Sequence, residues 1–280
     1  MLRTERTFCI MKNRYAFLGV GNMASAIIRG ISADGVSPSD SILYDINSEK
    51  CEAFAKEGFA VAKSAAEAVR FADFIVLAVQ PQAFPSLIGE LRESGVCTDG
   101  KCFVSIAAGV SIGKICELFG KEVAVIRTMP NAPLMIGKGV TALTRNTLVN
   151  DKSFGTVCRM FSRVGEILTL PEDKMNEVIS ATSSAPAYVY LFIKSITDAA
   201  IAQGISDDEK FMKDIICRMV IGAAELMLGS NESPDALIRR VCTPGGTTEP
   251  AVQTLIDRGM PQIIADAMDA CVKRAGELGK

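Results

Sequence analysis

The segment of residues 15–28, YAFLGVGNMASAII, constrains the fold more than any other part of the chain. Its first residues, up to Val20, form a short apolar run typical of a buried parallel strand. From Met23 onward the alanine, isoleucine and methionine content is typical of a helix. Gly19 and Gly21 lie between the two. A strand, a glycine turn and a helix in direct succession predict the first unit of a parallel α/β sheet.

The spacing of Gly19, Gly21 and Ala24 is that of a turn that binds a dinucleotide. The first glycine permits the tight turn, the second lets a pyrophosphate approach the backbone, and the small third residue lets the helix pack on the strand. A phosphate here would accept hydrogen bonds from free N–H groups at the start of the helix. We assign to this part of the cofactor site Gly19, Val20, Gly21, Asn22 and Met23.

Strand-like and helix-like segments alternate over residues 14–170, which predicts a Rossmann-type, doubly wound sheet. Residues 1–13 precede this pattern and are treated as an N-terminal extension. After Arg127, the segment TMPNAP predicts a loop that leaves the sheet, because prolines interrupt a strand. The predicted strands are 15–20, 41–45, 59–62, 73–79, 102–106 and 123–126, with edge strands at 139–143 and 166–170.

Residues 171–280 have long helical periods instead, which predicts an all-helical domain. The helix of residues 188–202 is apolar on nearly all sides, and a domain of roughly 110 residues has little interior in which to bury it. We expect a second copy of the chain to cover this helix; the competing interpretation is the core of a simple bundle. The predicted helices are 187–203, 207–228, 234–241, 249–257 and 261–278.

Composition limits the classes of function. The formal net charge is -2 without a basic block, and no apolar run reaches the length of a membrane span, so we expect neither nucleic acid nor a membrane as partner. The N-terminus lacks the apolar core of a secretory signal, and we expect a cytoplasmic protein with reduced thiols. Nine cysteines without a C-x-x-C pair, and no histidine, predict no metal site. Redox chemistry must therefore use a base other than histidine or a substrate that needs none.

Asp45 ends the second predicted strand, 24 residues after Gly21. A carboxylate at this position accepts hydrogen bonds from the adenosine ribose hydroxyls and repels a 2′-phosphate. Residues 46–48 contain no arginine, and the lack of a nearby basic residue favours NADH over NADPH. The competing interpretation is an aspartate of the turn after the strand.

Two other strand ends, AVQP at residues 78–81 and SIAAGV at residues 105–110, face the same crevice of an open α/β sheet. Their small residues would let a nicotinamide ribose approach the backbone. Asn131 follows a further strand; it hydrogen-bonds substrate or nicotinamide in one interpretation and is a turn residue in the other. The remaining cofactor residues that we assign are Ala78, Val79, Gln80, Pro81, Ile106, Ala107, Ala108, Gly109 and Pro130.

The segment of residues 241–248, VCTPGGTT, places two glycines and two threonines before a predicted helix. Free N–H groups at a helix N-terminus, together with hydroxyls, make an anion site suited to a carboxylate. The competing interpretation is a threonine N-cap, which does not explain the two glycines.

Taken together, these motifs resemble those of the pyrroline-5-carboxylate reductases, which catalyse the last step of proline synthesis. GVGNMASAI, AVQP, SIAAGV, RTMPN, SSAPAY and CTPGGTT occur in the order of that family and at about its spacing, over residues 14–278. The resemblance implies an N-terminal Rossmann domain and a helical domain that intertwines into a homodimer, often assembled further into rings. It also implies reduction of the cyclic imine 1-pyrroline-5-carboxylate by NADPH or NADH.

The resemblance also implies roles for individual residues. It places Thr248 at the catalytic hydroxyl that meets the substrate nitrogen, and Glu172 at an acidic position near the substrate. Three departures from the family pattern are Gln80 for a lysine, Thr243 for a serine and Ser183 for a glycine; the first bears on the preference for the cofactor phosphate and the last on local loop shape. The substrate-binding residues that we assign are Glu172, Thr243, Gly245, Gly246, Thr247, Thr248 and Asn131.

A cyclic imine fits the absence of histidine, because the protonated imine accepts hydride directly. A related imine reductase or β-hydroxyacid dehydrogenase is one alternative, but those dehydrogenases carry a catalytic lysine in the linker helix, where residues 185–190 have none. A non-catalytic nucleotide-sensing protein is the other, and it would not need the PGGTT segment.

Overall fold

The computed structural model describes residues 13–33 and 35–279. Apart from Asn13, the predicted extension lies outside the described residues. The chain divides into two compact units, the first containing residues up to Ser183 and those from Val272 onward, the second containing Ser184–Cys271. The end of the chain therefore groups with the Rossmann-type unit, whereas the sequence predicted that all residues after 170 belong to the helical domain.

The first unit is built on a sheet of eight strands in the described part of the chain. They are β1 (Tyr15–Leu18), β2 (Ser41–Tyr44), β3 (Ala60–Val61), β4 (Phe74–Leu77), β5 (Cys102–Ser105), β6 (Ala124–Met129), β7 (Gly139–Arg145) and β8 (Gly165–Thr169). The helices that cover it are α1 (Asn22–Ala33), α2 (Glu49–Lys56), α3 (Ala65–Phe71), α4 (Phe84–Glu93), α5 (Ile112–Phe119) and α6 (Asp151–Ser162).

The strand order is β3-β2-β1-β4-β5-β6-β7-β8. The first six strands in this order, β3 through β6, are parallel to one another. Strand β7 runs antiparallel to β6, and β8 is parallel to β7. Apolar side chains of the parallel strands fill a core on each face, with α3, α4 and α5 on one face and α1, α2 and α6 on the other. This confirms the predicted doubly wound sheet. The strand order reverses between β1 and β4, where sheets of this kind bind ligands.

The sheet differs from the prediction around β6. Thr128 and Met129 belong to the strand and pair with Leu143 and Ala142 of β7, so the loop begins at Pro130 and not after Arg127. Strand β7 lies between β6 and β8 and is not an edge strand. The antiparallel partner explains both differences, because it extends the backbone hydrogen bonding of β6 up to the proline.

The second unit is helical, as predicted. Its helices are α7 (Ala185–Ala202), α8 (Glu209–Leu228), α9 (Pro234–Val241), α10 (Thr248–Asp257) and α11 (Met260–Leu278), the last continuing into the first unit. In α7 only Thr197 and Ala200 are buried within the single chain, whereas Tyr190 and Leu191 are 60% and 64% exposed. No helix among the described residues is long and apolar enough to cross a membrane.

Candidate active site

The glycine turn between β1 and α1 requires glycine at its first position. Gly19 has φ +100°, and a Cβ there would lie 2.6 Å from the carbonyl oxygen of Ala78. At Gly21 a Cβ would have nothing within 4 Å, so the backbone at this residue faces open space. Ala24 is buried where α1 packs on the sheet. The geometry is the one that a dinucleotide pyrophosphate needs: a tight turn followed by unobstructed backbone.

A cavity of about 430 Å³ opens beside this turn. It lies at the carboxyl ends of β1, β2 and β4, at the point where the strand order reverses. Of the residues assigned to the cofactor, it is lined by Gly19, Gly21, Asp45, Ala78, Val79 and Gln80, and its other lining residues include Tyr44, Ile46, Lys50, Ser86 and Glu90.

The Asp45 carboxylate is held by several partners, and its side chain is only 6% exposed. Oδ2 accepts a hydrogen bond of 2.8 Å from Val20 N, Oδ1 accepts one of 2.9 Å from Asn47 N, and Lys50 Nζ lies 3.3 Å from both oxygens. Burial alone would raise the pKa of Asp45, but the two N–H groups and the Lys50 ammonium together keep the pKa below its ordinary value. The predicted absence of a nearby basic residue is therefore wrong, because the first turn of α2 brings Lys50 back to the carboxylate.

The other cofactor residues assigned from sequence lie at the ends of β4, β5 and β6. Ile106, Ala107, Ala108 and Gly109 form the turn between β5 and α5, and Pro130 follows β6 as a buried residue. These residues and Pro81 do not line the 430 Å³ cavity. Because β5 lies on the far side of β4 from β2, this turn would be on the nicotinamide side of a dinucleotide if its adenosine were bound at Asp45.

Asn131 is 6% exposed and has backbone partners for both side-chain polar atoms. Its Oδ1 accepts a hydrogen bond of 2.8 Å from Val140 N, and its Nδ2 donates one of 3.1 Å to Thr182 O. These bonds tie β7 and the π-helix Ile179–Ser183 to the end of β6. The structure therefore favours the interpretation of Asn131 as a structural residue over that of a substrate ligand.

Glu172 contacts a residue that the sequence did not single out, Arg127. Glu172 Oε1 accepts a hydrogen bond of 2.6 Å from Ile112 N, the first residue of α5, and lies 3.6 Å from Arg127 Nη1. The Arg127 side chain is 4% exposed, and its Nη2 donates a hydrogen bond of 2.6 Å to Asn176 Oδ1. Burial lowers the pKa of Arg127, and the Glu172 carboxylate opposes that effect. An arginine directly after the predicted strand 123–126, four residues before Asn131, was the sequence signal for a buried cation that needs a partner.

The threonine loop, residues 241–248, lies in the second unit and ends at the start of α10. Gly245 has φ +72°, Gly246 N donates a hydrogen bond of 2.9 Å to Thr243 O, and Gly245 N donates one of 3.1 Å to Glu249 Oε2. Thr247 is in the N-cap position but makes no side-chain capping bond. The N-cap interpretation is therefore not supported, and the two threonine hydroxyls stand beside the N-terminus of α10.

The structure shows the surroundings of two of the three departures from the family pattern, Ser183 and Thr243. Ser183 ends the π-helix, and its Oγ is buried without a hydrogen-bond partner. A Cβ on Gly246 would lie 2.6 Å from Thr243 Oγ1 and 3.0 Å from Thr243 O, so Thr243 leaves no room for a larger residue than glycine at position 246. Among the described residues, no group of three or more Cys, Asp or Glu could hold a metal ion.

Comparison with known proteins covers both units. Residues 172–278 match the family described as pyrroline-5-carboxylate reductase dimerisation, and residues 14–109 match NADP oxidoreductase coenzyme F420-dependent. The chain is 33% identical to the pyrroline-5-carboxylate reductase of Escherichia coli K12, over 96% of this chain and 100% of that one. It is 29% identical to the Arabidopsis thaliana enzyme of the same name, over 95% and 96% of the two chains. The solved structure of Plasmodium falciparum pyrroline carboxylate reductase with NADP bound superposes with a TM-score of 0.86 at 26% identity, over 96% and 98% of the chains.

Proposed function

Because the chain belongs to the pyrroline-5-carboxylate reductase family, we propose that it reduces the C=N bond of 1-pyrroline-5-carboxylate to give L-proline. The observation that carries the proposal is the similarity to the Escherichia coli reductase over 96% of this chain. The glycine turn in the first unit and the threonine loop in the second, whose Thr247 makes no capping bond, are consistent with it. A reduced nicotinamide dinucleotide supplies the hydride when bound.

In the first unit, the turn from Gly19 to Met23 would hold the pyrophosphate, since a Cβ at Gly21 would meet no atom within 4 Å. Asp45 would lie under the adenosine ribose, oriented by Val20 and Lys50. The exposed Ile46 side chain lines the same cavity and offers an apolar face to the adenine. These residues would thereby position the pyrophosphate, the ribose and the adenine.

In the second unit, we assign the substrate carboxylate to the N–H groups of Thr247 and Thr248, at the start of α10, where backbone donors have no intrahelical partner. The Thr248 hydroxyl is assigned to the imine nitrogen. If the imine arrives protonated, the hydroxyl accepts its hydrogen bond and orients the acceptor carbon; if not, it relays a proton. Neither role requires the histidine that the chain lacks.

Cofactor choice is the finer part of the proposal. Two carboxylates, Asp45 and Glu90, and one ammonium, Lys50, line the cavity, and the ammonium is already paired to Asp45. This balance of charge disfavours an additional 2′-phosphate, so NADH is preferred. Because the Lys50 side chain is 48% exposed and solvent screens its charge, the preference is about tenfold or less in kcat/KM, which corresponds to about 1.4 kcal/mol. A higher kcat/KM with NADPH would contradict it.

Dimer formation is proposed from the surface of the second unit. Side chains of α7 and α8 such as Leu191, Phe211 and Leu226 are 64%, 54% and 60% exposed in the single chain. An exposed apolar surface on this scale needs a partner, and a second copy satisfies it with two-fold symmetry. We propose an obligate homodimer, further assembled into a ring. Light scattering at micromolar concentration distinguishes the ring, the dimer and the monomer. A stable, active monomer would refute the proposal.

The test of the reaction is the oxidation of reduced nicotinamide cofactor, followed by absorbance with 1-pyrroline-5-carboxylate as substrate. The controls are an assay without substrate and an assay of 2-hydroxy acids with the oxidised cofactor. We expect turnover with the imine alone and L-proline as product. Turnover of a 2-hydroxy acid alone would favour the dehydrogenase alternative, and cofactor binding without any turnover would favour a sensor.

A further inference from the structure

The turn between β5 and α5, residues 106–111, is held from outside by residues distant in sequence. On one side Glu172 Oε1 accepts the Ile112 N–H at 2.6 Å, across 60 residues. On the other side Gly109, with φ +80°, lies against the end of α11, where a Cβ on Gly109 would be 2.5 Å from Ala275 O. Both contacts lie within the first unit. Each comes from a segment at an end of the part matched to the dimerisation family, residues 172–278.

The Glu172 contact is supported by a buried cation. Arg127 is 4% exposed, and its guanidinium lies between Glu172 Oε1 at 3.6 Å and Asn176 Oδ1 at 2.6 Å. A buried guanidinium needs a counterion, so Arg127 holds the Glu172 carboxylate in place. The α5 helix has a separate cap in Ser111 Oγ, which accepts the Lys114 N–H at 3.1 Å. Glu172 is therefore not needed merely to begin the helix, and its bond fixes where the helix and the preceding turn lie.

We propose that Glu172 is a positioning residue for the hydride step: with Arg127 it anchors the β5–α5 turn, on which the nicotinamide of the cofactor would rest. This inference rests on the proposed function. It assigns to Glu172 an action on the cofactor through Ile112, in place of the contact with substrate that the family resemblance implied. The geometry supports this assignment, since Glu172 Oε1 accepts the Ile112 N–H and lies 3.6 Å from Arg127 Nη1.

Two variants separate the hydrogen bond from the charge. Glu172→Ala removes the acceptor for Ile112 N–H, and Glu172→Gln keeps an acceptor oxygen but loses the charge. For Glu172→Ala we expect kcat to fall about tenfold to a hundredfold, because a misplacement of about 1 Å has effects of that size. KM for the reduced cofactor should rise several-fold, with KM for 1-pyrroline-5-carboxylate within about twofold of the parent. Glu172→Gln should restore most of kcat.

A binding measurement reads the same anchor without turnover. The fluorescence of bound NADH reports the nicotinamide, whereas ADP-ribose binding, measured by calorimetry, reports the other half of the cofactor site. Glu172→Ala should lower the affinity for NADH roughly fivefold and leave the affinity for ADP-ribose unchanged, because contacts are lost only at the nicotinamide end of the cofactor. If Glu172→Ala fails to fold, the double variant Glu172→Ala/Arg127→Met removes the acceptor for Ile112 N–H without leaving an unpaired buried charge, and it should give the same loss of NADH binding.

Asp73→Ala is the matched control. The Asp73 carboxylate also accepts a distant backbone N–H, that of Arg14 at 3.0 Å, but it precedes β4 at the amino ends of the strands. This variant should lower stability and leave the affinities for NADH and ADP-ribose unchanged.

If Glu172→Ala raised KM for the imine and kept the parental kcat, the proposal would be overturned in favour of a substrate contact. If Glu172→Ala lowered the affinities for NADH and ADP-ribose equally, it would be overturned in favour of general destabilisation. A parent enzyme without turnover would refute the proposed function, while the two binding measurements would still decide the role of Glu172.

Discussion

The glycine turns assigned to cofactor and substrate share a positive φ and differ in their surroundings. Gly19 and Gly245 both have positive φ, +100° and +72°. At Gly19 a Cβ would lie 2.6 Å from Ala78 O, whereas at Gly245 nothing lies within 4 Å. The first turn packs against Ala78, directly after β4; the second is exposed and is held by hydrogen bonds to Thr243 and to Glu249 of α10. The glycine turn after β1 is thus a fixed part of the fold, whereas the threonine loop presents exposed polar groups, to which we assign the substrate.

The largest effect should come from Gly19→Ala. A positive φ costs roughly 1–3 kcal/mol for a residue with Cβ, and crowding against backbone adds about as much. We expect a loss of about 2–6 kcal/mol in the free energy of unfolding and no measurable NADH binding. Gly58→Ala is the control, because Gly58 has φ +93° but its nearest neighbour would be 3.9 Å away. Equal stability losses in chemical denaturation would show that crowding at Gly19 is unimportant.

Thr248→Ala tests the open loop. Removing one catalytic hydrogen bond should lower kcat about tenfold to a thousandfold, with NADH affinity nearly unchanged. Thr248→Ser keeps the oxygen and should retain most activity. Thr254→Ala is the control on the same helix, since its hydroxyl bonds only Pro250 O at 2.8 Å. A folded, dimeric Thr248→Ala with parental turnover would place the substrate site elsewhere.

Gly245→Ala should have a smaller effect, because the surroundings leave room for a methyl group. We expect KM for the imine to rise several-fold through a shift of the loop N–H groups, and stability to fall by about 1 kcal/mol. Gly204, with φ +73° and nothing within 4 Å, provides the matched control in the same unit. Gly204→Ala should lose the same stability in thermal unfolding and keep the parental KM; a parental KM in both variants would contradict the assignment of this loop.

The smallest effect concerns the pH dependence at Asp45. Its pKa in the folded protein lies below the ordinary value of 3.8, so the unfolded chain binds more protons as the pH falls through that value. The stabilisation is complete above the ordinary value and is lost as the pH falls towards the folded pKa. The difference in stability between the parent and Asp45→Asn should therefore become smaller below about pH 4, measured as unfolding midpoints against pH. A gap independent of pH would show that the carboxylate charge does not contribute.

Much of the fold was predictable because the signals are local. The apolar runs identified the strands, and each of the five helices of the second unit begins within two residues of its predicted start. The errors lie where a distant segment decides: β6 continues to Met129 because β7 pairs with it, and α11 joins the first unit because its end packs on Gly109.

The candidate site divides in the same way. The glycine turn and the threonine loop were found as motifs, since their proposed functions depend on residues adjacent in the chain. The roles of Asn131 and Glu172 were not, because their partners Thr182 and Ile112 are 51 and 60 residues away.

By itself, the sequence determined the class of fold, the family and the two loops that would bind cofactor and substrate carboxylate. Backbone conformation, hydrophobic period and residue type carry that information over short distances. Only the tertiary structure decided that Lys50 neutralises Asp45 and that Arg127 holds Glu172 against the start of α5. The physical reason is that a side chain's charge and hydrogen bonds depend on which groups surround it after burial, and packing brings those groups together from separate parts of the chain.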